Sequence, residues 1–481
     1  MSGVKGHLEL VGEYERSIGV EPSAVTSCPE PGARLAATLP VWALAAGSVA
    51  TVGAALDRLR TALGLPVRPV HLDPDRVTAA FASDRVYREN GETPRAFAEL
   101  SGFFAARDGW VRTHANYPHH RARLLTAFQL PESTTADELG ACFADLPAQE
   151  IERRAVAVGA IAAAVRTESE WAATEPGRFA AQGPLVRWTP RTTLPLGTPG
   201  QEDGEAAARA ATTPTTPDAT DATATASAIT AGRWLPRTNP TVDRPLGRVR
   251  VLDLTRVLAG PVATRTLALF GADVLRIDPP HLPEIGFQFR DTCQGKRSAI
   301  VDLRENPALL NALLAEADVL VTGYRPGALA TLGVHPDRHP HLITASVSAW
   351  GTTGPWGERR GFDSIVQAAS GIALIEGAGR PGALPTQALD HASGYLLVAA
   401  VIDALRARNT DGISYDVAVA LARTAAWLLA HPTRTPNHPP ATPPTPSATV
   451  THGDLTTATP AFAEHADYPH PAPGYGSTAL I

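Results

Sequence analysis

Asp390 is the residue whose surroundings imply the most chemistry. The stretch TQALDHASGYLLVAAVIDALRAR, residues 386–408, has a short polar entry, then Asp390, then small residues and an apolar helix. Leu397, Val401 and Leu405 recur at helical spacing, so one face is expected to be buried. A carboxylate where a helix begins meets the positive end of the macrodipole and the free N–H groups of the first turn. That setting favours the ionised form, which a carboxylate nucleophile needs. The same residue also reads as a plain helix cap.

Two further clusters carry less. His114, His119 and His120 lie close together, but no Cys or carboxylate stands at ligand spacing, and adjacent histidines cannot share one helical face. No metal is expected. Of the 3 cysteines, Cys28, Cys142 and Cys293 are too scattered for a disulfide framework or a zinc site. Cys293 has no base partner and reads as a structural thiol.

The elements that must position Asp390 follow a clear pattern from Arg248 onward. VRVLDLT, ADVLRIDPP, RSAIVDL, ADVLVTGY and LITASVSAW read as strands, with helices VATRTLALFGA, NPALLNALLAEA and DSIVQAASGIALIEG between or after them. This alternation predicts an α/β fold, a doubly wound Rossmann-like parallel sheet with right-handed crossovers, in the C-terminal half. Ligands of such sheets lie at the carboxyl ends of the strands. No GxGxxG follows the first strand, which disfavours a nicotinamide cofactor.

The N-terminal half reads as a smaller, mainly helical α+β domain over 1–190. It has a long helix at 40–63, a helix-prone stretch at 75–101, a strand at 109–114 and a helix at 117–128. Two more helices are expected within 136–170, ADELGACFADL and PAQEIERRAVAVGAIAAAVRT. Residues 191–235 collapse into Thr, Ala and Pro and predict a disordered linker. The catalytic α/β domain should then span 236–430, with an irregular Pro-rich tail at 431–481.

The 481 residues carry a net charge of -6, with 19% charged and 44% hydrophobic residues. Nothing here calls for nucleic acid. The N-terminus MSGVKGHLEL lacks a signal-peptide core, and no run reads as apolar enough to span a bilayer. A cytoplasmic protein without membrane partners is expected.

Several segments, in one order, resemble the class III coenzyme A transferases, a family that also holds α-methylacyl-CoA racemases. They are VLDLTRVLAGPVATRTLALFGADVLRID, GKRSAIVDLR, ADVLVTGYRPGAL, SVSAWGTTGPWGERRGFDSIVQAASG and QALDHASGYLLVAAVIDALRAR, covering about 245–425. The resemblance implies that Asp390 is the nucleophile of CoA transfer between an acyl-CoA thioester and a carboxylic acid. It implies CoA contacts at Arg256, Val257, Leu258, Ala259, Val301, Arg304, Gly323, Tyr324, Arg325, Arg360, Phe362 and Asp363. CoA is then a substrate, with no tightly bound cofactor, and a homodimer is implied. The arginines also suit the phosphates of CoA, and Tyr324 and Phe362 offer stacking faces.

The first half departs from an ordinary member. DGWVRTHANYPHHRARLL and VAVGAIAAAVRTESEWAA resemble the family's small domain, which elsewhere follows the nucleophile helix. PVWALAAGSVATVGAALDRLR resembles a second, degenerate nucleophile helix. Matching Leu56-Asp57-Arg58 to Ile402-Asp403-Ala404 places Leu44 where Asp390 stands. The chain thus reads as two partial copies in rearranged order, and Asp390 is expected in a cleft faced by the 99–190 unit. The glycine-rich loop of some members is not evident. Two alternatives remain: racemisation, which would need a His where Phe362 stands, and a non-catalytic CoA-binding protein.

Overall fold

The computed structural model describes residues 6–23, 25–193, 234–324 and 327–480. Most of the expected linker, and Arg325, lie outside the described residues.

A seven-stranded sheet forms the frame. Its order is Arg297–Ile300, Asp273–Asp278, Arg250–Leu254, Val319–Thr322, Ile343–Ser348, Ile413–Ala420 and Val186–Thr193. All neighbours pair in parallel except the last, which is antiparallel. The parallel strands are short apolar runs because helices cover both faces of such a sheet. Val251, Leu252, Val319 and Leu320 are wholly buried. The doubly wound architecture expected from the alternation is present.

The long helix Ala388–Asp411 runs through the centre of the fold. It is long and apolar enough to cross a membrane by length and composition, but the whole apolar window is buried inside the protein. That burial is the environment of a core helix. Gly394 lets it approach the helix Ala259–Leu269: a Cβ there would lie 2.6 Å from the Ala259 carbonyl oxygen. The small-residue patch after Asp390 therefore serves helix packing.

The helix Val41–Ala62 packs along Ala388–Asp411 within the same chain. Buried ion pairing joins them. Arg58 donates to both carboxylate oxygens of Asp403, at 2.9 and 2.7 Å, and the Tyr14 hydroxyl donates to the same group at 2.9 Å.

A separate small core is built on the three-stranded antiparallel sheet Phe103–Ala106, Gly109–Thr113 and Ala162–Ala164. Leu100, Val111, Leu124, Phe143 and Ile151 fill it. The strand after the Asp-Gly turn and the helix Pro118–Phe128 match expectation. Four readings are corrected. The helix after Ala148 ends at Ala157, and Ala162–Ala164 is a strand. The stretch 75–101 is helical only over Pro74–Phe81 and Ser83–Val86. The expected small domain ran to 190, but Val186–Thr193 joins the large sheet. The tail carries an unforeseen hairpin, Thr449–His452 with Leu455–Ala458.

Candidate active site

The strand order reverses between Arg250–Leu254 and Val319–Thr322. The carboxyl ends of both strands open there onto a cavity of about 440 Å³. One wall is the turn after Leu254, made of Arg256, Val257 and Leu258, leading into Ala259 and Gly260 of the next helix. Gly323 and Tyr324 line the opposite strand end, and Arg359, Arg360 and Phe362 line another side. The small unit closes the cleft with Tyr117, His119, His120 and Ile161. Asp390 faces this cavity, in a cleft shared with the 99–190 unit as expected.

Asp390 is the third residue of its helix, not the cap. The capping carboxylate is Asp363. Its Oδ2 accepts from the backbone N–H of Leu389 at 2.8 Å and of Asp390 at 3.0 Å. The other oxygen of Asp363 accepts from Gln367 Nε2. The first-turn donors expected to favour an ionised Asp390 are therefore held by a second carboxylate. Burial, then the like charge of Asp363, push the Asp390 carboxyl well above its ordinary range. Burial also pushes Asp363 up to about 6, against the helix N–H groups, Gln367 and Arg112. The expected ionised nucleophile is corrected: at rest this buried pair favours protonation of Asp390.

The candidate CoA contacts divide into three groups. Arg256, Val257, Leu258, Ala259, Gly323, Tyr324, Arg360 and Phe362 line the cavity. Three do not. Asp363 is wholly buried behind Asp390. Val301 is 5% exposed and belongs to the core beneath the sheet, with Leu303 and Leu310. Arg304 is 56% exposed, folds onto Asp302 with Nε–Oδ1 at 2.9 Å, and does not line the cavity. Arg325 lies outside the described residues.

Residues from the small unit and the sheet's far loops complete the site. His114 stacks on Phe362 with centroids 3.8 Å apart and planes 8° apart, and His120 meets the same ring edge-on at 5.7 Å. Burial pushes His120 down to about 2 and His114 to about 3, so both are neutral. Arg112, buried over Phe97 and Phe103, is pushed down to about 10 by burial, with Asp363 drawing it the other way. Arg359 donates to Glu152 and, at 2.9 Å, to the Ala162 carbonyl, tying the cavity wall to the small unit. The HANYPHH run stands out in the sequence as a histidine cluster and as part of the small-domain resemblance, but neither shows its stacking on Phe362. Among the described residues no group of three His, Cys, Asp or Glu could hold a metal ion. Lys296 does not line the cavity: it is buried, 3.1 Å from Asp253. Cys293 is fully buried, and burial pushes its thiol up.

Comparison with known proteins gives a match over part of the chain. Residues 246–459 match the model of CoA-transferase family III. This part of the chain is similar to the family III CoA-transferases. A probable fatty acyl-CoA transferase of Mycobacterium tuberculosis is 36% identical over 242 residues, covering 44% of this chain and 60% of that protein. The succinyl-CoA:glutarate CoA-transferase of Mus musculus is 33% identical, covering 38% of this chain and 47% of that protein. A solved CaiB/BaiF family protein of Brucella suis is 28% identical over 44% of this chain and 65% of its own, with a TM-score of 0.37. The chain thus spans about half to two thirds of the length of these relatives. The matched segment 246–459 contains Asp390, Asp363 and the turn after Leu254.

Proposed function

We propose that the protein transfers coenzyme A from an acyl-CoA thioester to a carboxylic acid, with Asp390 as the nucleophile. The observation that carries this reading is a buried carboxylate facing a cavity at the switch point of a family III sheet. A CoA thioester is longer than the cavity. Its acyl end would sit by Asp390, and its nucleotide end would pass out along Arg256, Tyr324 and Arg360.

In the proposed sequence Asp390 first gives its proton to water in the open cavity; its carboxylate oxygen then attacks the thioester carbonyl carbon, and CoA leaves as thiolate with the bond pair. The thiolate then attacks the aspartyl carbonyl of the mixed anhydride. This releases the donor acid as its carboxylate and leaves an aspartyl-CoA thioester. The acceptor carboxylate attacks that thioester, and the released thiolate takes the acceptor's acyl carbon, regenerating Asp390. The first turn of the helix Ala259–Leu269 borders the cavity and supplies N–H groups suited to the oxyanions. Gly394, the alternative donor region, is occupied by helix packing.

Racemisation needs an acid–base group on each face of the α-carbon. Phe362 supplies none, and His120, which lines the same cavity, is too weak a base at about 2. Transfer is the better reading. A cytoplasmic homodimer belongs to the same proposal, as does acyl-CoA with a carboxylic acid as the reacting pair.

Incubation with an acyl-CoA followed by hydroxylamine should convert Asp390 to a hydroxamate, found by peptide mass spectrometry. Borohydride should reduce the aspartyl-CoA thioester at the same residue. Unmodified Asp390 alongside measurable CoA exchange would overturn the mechanism. Deuterium entry at the α-carbon without exchange would favour racemisation, and CoA binding without either would favour a non-catalytic protein.

A further inference from the structure

Val257 stands in the cavity wall with φ at 71°. A β-branched residue in the left-handed region is strained and persists only when its surroundings over-determine it. The constraint comes from Glu284, which is 1% exposed and does not itself line the cavity. Glu284 Oε2 accepts the Val257 N–H at 2.9 Å and Arg276 Nη2 at 2.9 Å. Its Oε1 accepts the Tyr117 hydroxyl at 2.5 Å and the Ile285 N–H at 2.9 Å. Both oxygens are thus filled by donors from four segments, one of them in the small unit. Around this carboxylate Arg256 lies over the Tyr117 ring, 4.9 Å from its centroid, and donates to the Pro283 carbonyl at 2.7 Å. The Tyr475 hydroxyl of the tail accepts the Glu284 N–H at 3.2 Å.

We propose that Glu284 is a positioning residue for the CoA-binding turn. It holds the strained Val257 backbone, and with it Arg256, Leu258 and the head of the Ala259–Leu269 helix, against Tyr117 of the small unit. The proposal rests on the reading of this cavity as a CoA site. Burial works against ionised Glu284, but Arg276 and Arg256, with the Tyr117 and Val257 hydrogen bonds, outweigh it and hold the carboxyl below its ordinary range. The group therefore stays an acceptor for all its donors at neutral pH. A glutamine cannot replace it, because one of its two terminal atoms would confront donors with a donor.

The test compares wild type, Glu284→Gln, Tyr117→Phe and the double variant Glu284→Gln/Val257→Gly. One readout is hydrogen–deuterium exchange of the peptide over 255–260, which needs no ligand. The other is the Kd for CoA by calorimetry. Losing a hydrogen bond to a charged acceptor should speed exchange of the turn and raise the Kd by about tenfold or more in Glu284→Gln. Tyr117→Phe, which keeps the carboxylate and every other donor, should give a smaller change in the same direction and covers the case in which Glu284→Gln does not fold. Glycine takes φ near 70° without strain. Val257→Gly should therefore recover most of the lost CoA affinity, which a merely structural role for Glu284 would not predict. Unchanged exchange and unchanged Kd in Glu284→Gln would overturn the proposal, as would a raised Kd that Val257→Gly leaves in place. Should wild type fail to bind CoA, the functional reading falls, while the exchange rates still decide whether Glu284 holds the turn.

Discussion

The helices Val41–Ala62 and Ala388–Asp411 lie side by side, and only one of them can do chemistry. Both are apolar and deeply buried, and both are entered through backbone N–H groups held by a carboxylate from another segment. Glu376 accepts the N–H groups of Thr38 and Leu39 at 3.0 and 2.9 Å. Asp363 does the same for Leu389 and Asp390. The matched aspartates further along are also alike in use. Asp57 takes Arg60 at 2.8 Å and Asp403 takes Arg58 at 2.7 Å. The difference lies at one position: Leu44 is wholly buried in the main core, while Asp390 faces the cavity. Helix length and packing are the common scaffold, and in the proposed function the two helices differ at one side chain and its carboxylate neighbour.

The largest expected effect tests that confinement. Asp390→Asn should lower CoA exchange by about 10⁴-fold, because a nucleophile is lost without a change of shape. Leu44→Ala should leave exchange within a few-fold of wild type while lowering stability by about 2–5 kcal/mol, the cost of a core cavity. Chemical denaturation and an exchange assay on both variants separate the two. A silent Asp390→Asn would remove the distinction between the helices.

Next is the seam between them. Arg58→Ala leaves Asp403, which is fully buried, with the Tyr14 hydroxyl and the distant Arg406 guanidinium, Nε–Oδ1 3.5 Å. Breaking a buried pair from one side costs about 3–5 kcal/mol. Denaturant melts of Arg58→Ala and of Arg58→Ala/Asp403→Asn measure it, and the double variant should regain part of the loss. Equal stabilities for wild type and Arg58→Ala would mean that the seam does not depend on this pair.

The sheet was legible because its central strands are compact apolar runs, such as VLDL and VLVT, whose composition outweighs any helical reading. Two sheet strands were not. Ile413–Ala420 mixes Ser, Tyr and Asp into its run, and Val186–Thr193 carries Pro190, which fits a strand only at an edge. Ala162–Ala164 looks helical by propensity, but its pairing with Gly109–Thr113 decides otherwise. Asp390 was legible as the head of a helix and through family resemblance. Its protonation was not, because that depends on Asp363, 27 residues earlier, folding beneath it. Glu284 and Arg112 were invisible for the same reason: their partners come together only in three dimensions.

The smallest effect sharpens the comparison of the two caps. Asp363 lies beside a second carboxyl, and Glu376 does not. Asp363→Asn keeps an oxygen for the helix N–H groups but removes the charge that raises Asp390. The acidic limb of the pH–rate profile, set by ionisation of the pair, should then move to lower pH by about one unit. Stability follows the same logic. Asp363 is pushed up from 3.8 to about 6, so the folded state holds its proton more tightly than the unfolded chain. Its contribution is fully present below 3.8 and is lost as pH rises through 6. Asp363→Asn should flatten the fall in stability across that window. Glu376→Gln, which alters the carboxylate holding the segment that leads into the other helix, should leave the kinetic limb where it is. An unmoved limb in Asp363→Asn, or an equal shift in Glu376→Gln, would mean that Asp390 does not take its proton affinity from the carboxylate capping its own helix.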